Sequence, residues 1–369
     1  MNRRPLQDLA RQNQALLPEY RAVFETFATS GRYVSGPLVA AFEKEFADYC
    51  GTRHCVAVNT GTAALEVALR AAGVTPGQRV AVPAMTFVAT AQAVIQAGAL
   101  PVLVDVDPAT WNMDPVALAQ VAASGIDAVL PVHLHGRIAD MEAIAAVTRE
   151  HSALLLEDAA QAAGAVGGSG PAGSLAVAGA FSFYPGKNLG ALGEGGALVT
   201  SDDQLAENAR LYRNWGARRR YEHDYPGTNL RMSELMAGLL SIKLPHLDSW
   251  IAHRRRAAGW YAEALGTLPV TLPAPAGFEH AYHVYSIWTE DRDRIAAALD
   301  DDGFEVGIHY PRPIHLNAMF DFLGHGIGDF PVSERLAAGF LSLPMDEFLT
   351  ESEVERIAAS LSRALDSAT

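Results

Sequence analysis

A chain of 369 residues can hold two domains sharing one substantial core. Hydrophobic residues make up 49% and charged residues 19%, a globular composition that excludes disordered and fibrous classes. The net charge of −14 argues against nucleic acid as a partner, and the basic runs Arg218–Arg220 and Arg254–Arg256 are too short to reverse that sign.

The first residues, Met1 to Asp8, contain no apolar core of a secretion signal, and no stretch approaches the roughly 18 apolar residues of a membrane span. A cytoplasmic protein is therefore expected. Cys50 and Cys55 read as reduced, partly buried thiols in such a compartment.

Glu19 to Ala47 has helical periodicity interrupted at Gly36-Pro37, with Leu38, Phe42 and Phe46 forming an apolar stripe in its second half. Cys55 to Val58 is a short strand that passes through Asn59-Thr60-Gly61-Thr62 into an Ala/Leu-rich helix, Ala63 to Ala72. A strand, a small polar turn and a helix start can present free N–H groups to a phosphate. The same turn also reads as an ordinary threonine N-cap. Val80–Val82, Val102–Val104, Ala128–Val132 and Leu154–Leu156 alternate with helical segments, among them Val88 to Gln96. That alternation predicts an α/β fold with a mostly parallel sheet covered on both faces. Ligands bind such sheets at the carboxyl ends of the strands, where Thr60, Asp105, His133 and Asp158 fall.

Two motifs carry less than their letters suggest. Gly168-Ser169-Gly170-Pro171-Ala172-Gly173 matches a dinucleotide fingerprint, but it precedes a strand and contains a proline. His133 and His135 have no third ligand at recognisable spacing, so no metal site is expected.

Phe181 to Tyr184 is an aromatic strand leading to Pro185-Gly186-Lys187-Asn188 and then to Gly-rich sequence through Gly196. Desolvation at such a turn lowers an amine's pKa and frees its lone pair for Schiff-base chemistry. A loop lysine that merely follows a strand is the plainer reading of this stretch alone. Beyond Asp202 a helix runs to Trp215, followed by an irregular stretch, Gly216 to Arg231, and a long helical region, Met232 to Leu265. In that region Arg254–Arg256 read as a solvated helix face. Pro269, Pro273 and Pro275 lead into a smaller α+β unit, in which His280 to Trp288 alternates like a strand and Asp293 to Asp300 like a helix. We expect two domains, 1–245 and 246–369.

Together these pieces give each part of a pyridoxal phosphate ring a partner. The phosphate would meet Thr60, Gly61 and Thr62, with a hydroxyl from Ser182, and Phe87 can stack on the ring face. Asp158 would keep the ring nitrogen protonated, Gln161 would donate to the phenolic oxygen, and Lys187 would hold the cofactor and move the proton. Tyr184, His309, Tyr310 and His315 are aromatic and polar groups suited to a hexose. Arg219 and Arg220 offer forked donors for a diphosphate, or else belong to a solvated turn.

These residues also carry a resemblance. Ser35-Gly36-Pro37, Asn59 to Leu65, Pro83 to Thr90, Glu157 to Gln161, Phe181 to Gly196, Arg213 to Gly216, Asn229 to Met232 and Gly307 to Leu316 resemble the DegT/StrS-type sugar aminotransferases. The resemblance covers nearly the whole chain. It implies a fold-type I pyridoxal phosphate enzyme: a large domain with a mostly parallel central sheet and a smaller C-terminal α+β domain. It further implies L-glutamate as donor (giving 2-oxoglutarate) and a nucleotide-linked ketosugar as acceptor, with a dTDP-3-keto-6-deoxyhexose the nearest match. A homodimer with shared sites follows, in which Asn229 would reach the cofactor phosphate of the neighbouring subunit. Dehydratase relatives carry histidine at the lysine position, so Lys187 places the chain with the transaminases. Met236 stands where the family usually has glutamine, away from the chemistry. Amination at another sugar position or of a cyclitol ketone stays open, as does a cofactor-binding regulatory protein without turnover. A cysteine desulfurase fits poorly, because Cys50 and Cys55 flank an N-terminal strand.

Overall fold

The computed structural model of the chain describes residues 3–366. Residues 1–2 and 367–369, the ends of the two expected domains, lie outside the described residues.

Four strands, β1 (His54–Val58), β2 (Arg79–Pro83), β3 (Leu100–Val104) and β4 (Ala128–Val129), come in succession, each separated from the next by a helix. They are followed by β5 (Leu154–Leu155) and β6 (Glu157–Asp158), a small hairpin of β7 (Val166–Gly167) and β8 (Gly170–Pro171), then β9 (Gly179–Ser182) and β10 (Gly196–Thr200). The hairpin occupies the glycine-rich stretch that imitates a dinucleotide motif. Only Leu156 separates β5 from β6. Its N–H bonds Val129 O on one side, and the N–H of Glu157 bonds Ala178 O on the other. One run of chain thus joins the strand sets β3-β2-β4-β5 and β6-β9-β10-β1 into a single sheet. Within it only β10 runs antiparallel to its neighbours, β9 and β1. The expected mostly parallel α/β sheet is therefore present.

The continuous apolar character of these strands follows from helices on both faces. Val56, Val58, Val80, Val82, Ala180 and Leu198 pack under the helices Gly61–Ala71, Val88–Gln96 and Asp203–Tyr212. The alternate residues Cys55, Ala57, Phe181, Ala197 and Val199 face the helices Pro37–Cys50 and Glu234–Lys243. There Phe46 meets Phe181 and Phe183 edge-on, with ring centroids 5.0 and 5.1 Å apart. Cys50 and Cys55 are buried free thiols of this layer.

Downstream, a two-stranded ribbon β11 (Ala217–Arg219) and β12 (Glu222–His223) precedes the helices Glu234–Lys243 and Leu247–Leu265. Antiparallel strands β13 (Tyr285–Trp288) and β14 (Phe340–Leu343) then share a separate apolar cluster with the helices Leu247–Leu265, Arg292–Asp301 and Glu351–Asp366. Arg4 joins that unit through Asp346 at 2.8 Å and a backbone bridge to Phe304. Among the described residues no helix is long and apolar enough to cross a membrane.

Two expectations need correcting here. Arg254 is not on a solvated face: it is 2% exposed and donates to the carbonyls of Tyr282, His283 and Met345. Arg255 likewise reaches His280 O and Phe278 O, leaving only Arg256 exposed. A helical arginine can look solvated by periodicity yet serve to satisfy carbonyls of an irregular buried segment. That segment is His280–Val284, which is buried throughout, so the strand is confined to Tyr285–Trp288.

Candidate active site

The end of β1 builds the first wall. Thr60 is extended, and its hydroxyl accepts from Ala63 N at 3.0 Å, capping the helix Gly61–Ala71. The N–H groups of Gly61 and Thr62 in that first turn have no carbonyl within the helix to bond. Position 61 must be glycine, since a Cβ there would lie 2.5 Å from Ser182 Cβ. The close approach brings Ser182, at the end of β9, against the helix N-terminus. That combination of open amides, hydroxyl and helix dipole suits a phosphate.

Asp158 forms the floor. It is 3% exposed, accepts from Thr90 Oγ1 at 2.8 Å and from Ala160 N at 3.1 Å, and Thr90 in turn meets Thr86 at 3.0 Å. Burial raises the Asp158 pKa above the usual carboxylate range, opposed by the Thr90 and Ala160 hydrogen bonds and the charge of Lys187. A cation placed in the cleft would complete the pairing.

Lys187 stands at the turn after β9, half-buried, and among the described residues its Nζ has no hydrogen-bond partner. Burial lowers its pKa to about 8, with Asp158 pulling the other way. The second lowered lysine, Lys243, differs in kind. Burial also takes it to about 8, but its Nζ is tied to Gln12 Oε1 at 2.8 Å and Gly190 O at 2.7 Å.

The remaining wall comes from the chain's second half. Tyr310 lies beside Phe87, centroids 5.3 Å apart, and its hydroxyl is 3.0 Å from Gln161 Nε2. The His309–Tyr310 peptide is cis. His309 Nδ1 pairs with Ser342 Oγ at 2.9 Å, and burial lowers its pKa to about 4, helped by the charge of Lys187. His135 is lowered to about 3 by burial, and buried His283 falls well below its ordinary range, with Lys187 adding to the effect. Three neutral imidazoles thus surround the site. Phe87 and Tyr184 are about half exposed.

Other expected residues fall elsewhere. Arg219 and Arg220 are exposed at the β11–β12 turn, lining a cleft of about 430 Å³ with Trp215 and Arg231. Asn229 is exposed, accepts from Arg231 Nε at 3.0 Å and follows the outer edge of β1, where Leu230 O bonds Asn59 N. His315 corrects an expectation. Its side chain is fully buried, 3.1 Å from Glu334 and beside the ring of Phe330, which gives it no face toward a sugar. Asp105 likewise caps a helix through Val332 N and Ser333 N. His133 and His135 point apart, to Glu157 and to His309 O. Among the described residues no group of three or more potential metal ligands gathers.

Sequence reasoning missed Thr90, His135 and His283. Thr90 follows Thr86 by four residues, a detectable spacing, whereas His283 comes from a segment whose alternation imitates a strand that begins only at Tyr285.

The residues present fit pyridoxal phosphate: a free desolvated amine, a buried carboxylate awaiting a cation, and an open helix N-terminus opposite a hydroxyl. Comparisons with known proteins agree. The model of the DegT/DnrJ/EryC1/StrS aminotransferase family matches residues 16–362. A "pleiotropic regulatory protein" of Geobacillus stearothermophilus is 41% identical, over 96% of this chain and 97% of that one. The dTDP-3-amino-3,4,6-trideoxy-alpha-D-glucose transaminase of Streptomyces venezuelae is 40% identical, over 96% and 94%. A crystal structure of S. venezuelae DesV, in complex with a ketimine intermediate, superposes with a TM-score of 0.95 at 39% identity, covering 99% of each chain.

Proposed function

The chain belongs to the DegT/DnrJ/EryC1/StrS aminotransferase family, and from that premise we propose that it moves the amino group of L-glutamate to a dTDP-linked 3-keto-6-deoxyhexose. It is a sugar aminotransferase using pyridoxal phosphate. The observation that carries this reading is Lys187: a half-buried amine lowered to about 8, free of hydrogen bonds among the described residues, within the field of Asp158.

When bound, the cofactor supplies an electron sink that stabilises a carbanion at the carbon bearing nitrogen. The protein's part is holding and proton movement. Gly61, Thr62 and Ser182 would bind the phosphate, with Thr60 shaping the turn, and Phe87 would cover one ring face. Asp158 would hold a proton on the ring nitrogen, and Gln161 would donate to the phenolic oxygen. Lys187 Nζ would carry the cofactor at rest and afterwards move a proton between two carbons, which an amine titrating near 8 can do in either direction. The neutral imidazoles of His283 and His309 put no second positive charge beside that amine.

For substrate, Tyr184, His309 and Tyr310 would meet the sugar. Asn229 would serve the partner's cofactor in a homodimer of two chains, domains 1–245 and 246–369 each. Full turnover by a chain that sediments as a monomer would contradict the shared site. The Streptomyces relative's name supports the dTDP-sugar. The regulatory name of the Geobacillus relative raises a binding role without turnover, which the intact Lys187 and Asp158 weigh against. Presenting the purified holoenzyme with L-glutamate and then with a panel of nucleotide ketosugars separates the two. Release of 2-oxoglutarate with no sugar aminated would overturn the acceptor, and no release at all would overturn the reaction.

Arg219 and Arg220 supply the positive charge that a chain of net charge −14 needs to receive a diphosphate. Changing either to alanine should raise KM for the sugar roughly tenfold, the worth of one or two charge-assisted bonds. The glutamate half-reaction should be much less affected. Equal weakening of both half-reactions, or of neither, would remove the arginines from the substrate site.

A further inference from the structure

Gln161 is 5% exposed, and both ends of its amide are engaged by protein. The backbone N–H of His135 meets Gln161 Oε1 at 2.6 Å, and Gln161 Nε2 meets the Tyr310 hydroxyl at 3.0 Å. A backbone N–H can only donate, so the amide oxygen must face His135 and the NH₂ must face Tyr310. This orientation follows from chemistry and does not depend on distinguishing oxygen from nitrogen by position. His135 is itself fixed. Its Nε2 lies 2.9 Å from the carbonyl of His309, which can only accept, so Nε2 carries the ring proton. The ring packs edge-on to Trp111 and Phe340, and the backbone holds φ at 58°, a left-handed value unfavourable for a non-glycine residue.

The consequence falls on Tyr310. An NH₂ group has no lone pair to offer, so the phenol accepts from Gln161 and cannot donate to it. The phenolic proton is therefore directed away from Gln161, whose NH₂ meets the oxygen at 3.0 Å. Among the described residues the hydroxyl donates to no protein acceptor. Burial raises the Tyr310 pKa, and the Asp158 charge adds to it, so the proton stays on at neutral pH.

We propose that His135 and Gln161 are positioning residues that make Tyr310 a committed hydrogen-bond donor to a carbonyl or hydroxyl oxygen of the bound substrate. The substrate class rests on the aminotransferase reading above; the direction of the proton does not. A site with a committed donor discriminates for ligands with an oxygen acceptor there, because its absence leaves a partly buried donor unpaired.

Neutron diffraction from crystals of the deuterated holoenzyme reads the geometry directly. The expected map has both amide deuterons on the nitrogen facing Tyr310, and the Tyr310 deuteron turned away from Gln161. A deuteron on Tyr310 aimed at Gln161 overturns the proposal, whatever the enzyme's substrate proves to be. Gln161→Glu supplies a kinetic counterpart. When ionised, the introduced carboxylate accepts from both neighbours and turns the Tyr310 proton inward. When protonated, the same carboxyl group has one carbonyl for His135 and one O–H for Tyr310, and so restores both protein contacts of Gln161, while the N–H toward the cofactor's phenolic oxygen is lost at either pH. With dTDP-3-keto-6-deoxyglucose as acceptor, the variant's rate relative to wild type should recover about tenfold as pH falls from about 8 to about 6, the range into which burial lifts a carboxyl group. In Gln161→Glu/Tyr310→Phe that recovery should vanish. A relative rate independent of pH, or a recovery that survives in the double variant, overturns the proposal. If dTDP-3-keto-6-deoxyglucose is not aminated at all, the acceptor reading fails while the neutron map still decides the donor direction.

Discussion

Asp158→Asn is expected to slow the L-glutamate half-reaction by about three orders of magnitude, near 4 kcal/mol of barrier, while the cofactor still binds. The carboxylate sits at the end of β6 with Thr90 Oγ1 on one oxygen and Ala160 N–H on the other. Its isolation from water is what raises its pKa and what makes a cation in the cleft worth so much to it. Asparagine keeps the shape but offers no charge, so a proton on the ring nitrogen would lose its counter-ion. Rapid-mixing spectroscopy of the half-reaction checks this, with cofactor content measured on the same sample. Rates within threefold of wild type would make Asp158 a structural residue.

The second large effect concerns stability. Glu157, one residue earlier, points to the opposite face and is fully buried. It accepts from His133 Nε2 at 3.0 Å and from the backbone N–H groups of Gly173 and Leu175, both at 2.7 Å. Glu157→Ala leaves all three donors without a partner in a dry layer, at a cost of about 4 kcal/mol. For a chain of this length that corresponds to about 5 °C in Tm. Calorimetry of the holo protein checks it. A shift under about 1 °C would mean that water or rearrangement replaces the carboxylate.

This pair also illustrates how much of the molecule was legible beforehand. Alternation along a strand sends Asp158 to the cleft and Glu157 to the interior, so a strand end was enough to nominate the first. The second was visible only as a letter, because its partners come from His133 and from a loop beyond the β7–β8 hairpin. Lys187, Gly61 and Ser182 were readable for the same local reason: each stands where a strand meets a turn. The sheet itself was readable from apolar runs covered on two faces. What escaped depended on distant chain. Arg254 looked solvated because the buried carbonyls it satisfies, those of Tyr282, His283 and Met345, lie far along the chain, two of them in a segment whose alternation reads as a strand. His315 looked available because nothing local announces Glu334 as its partner. The donor direction of Tyr310 depends on three segments meeting, at His135, Gln161 and His309.

Lys243 is the sharpest internal competitor to the central claim, since burial lowers both lysines to about 8. An amine's pKa alone does not distinguish them; hydrogen bonding does. Lys243 Nζ is engaged with Gln12 and Gly190 O, whereas Lys187 Nζ is unengaged among the described residues and lies in the field of Asp158. Borohydride reduction of the holo protein, followed by peptide mapping, tests this most directly. The pyridoxyl label should be found on Lys187 alone, with the visible absorbance lost in proportion to labelling. A label on Lys243, or on Lys44, the third lysine of the sequence, would contradict the assignment of the active site.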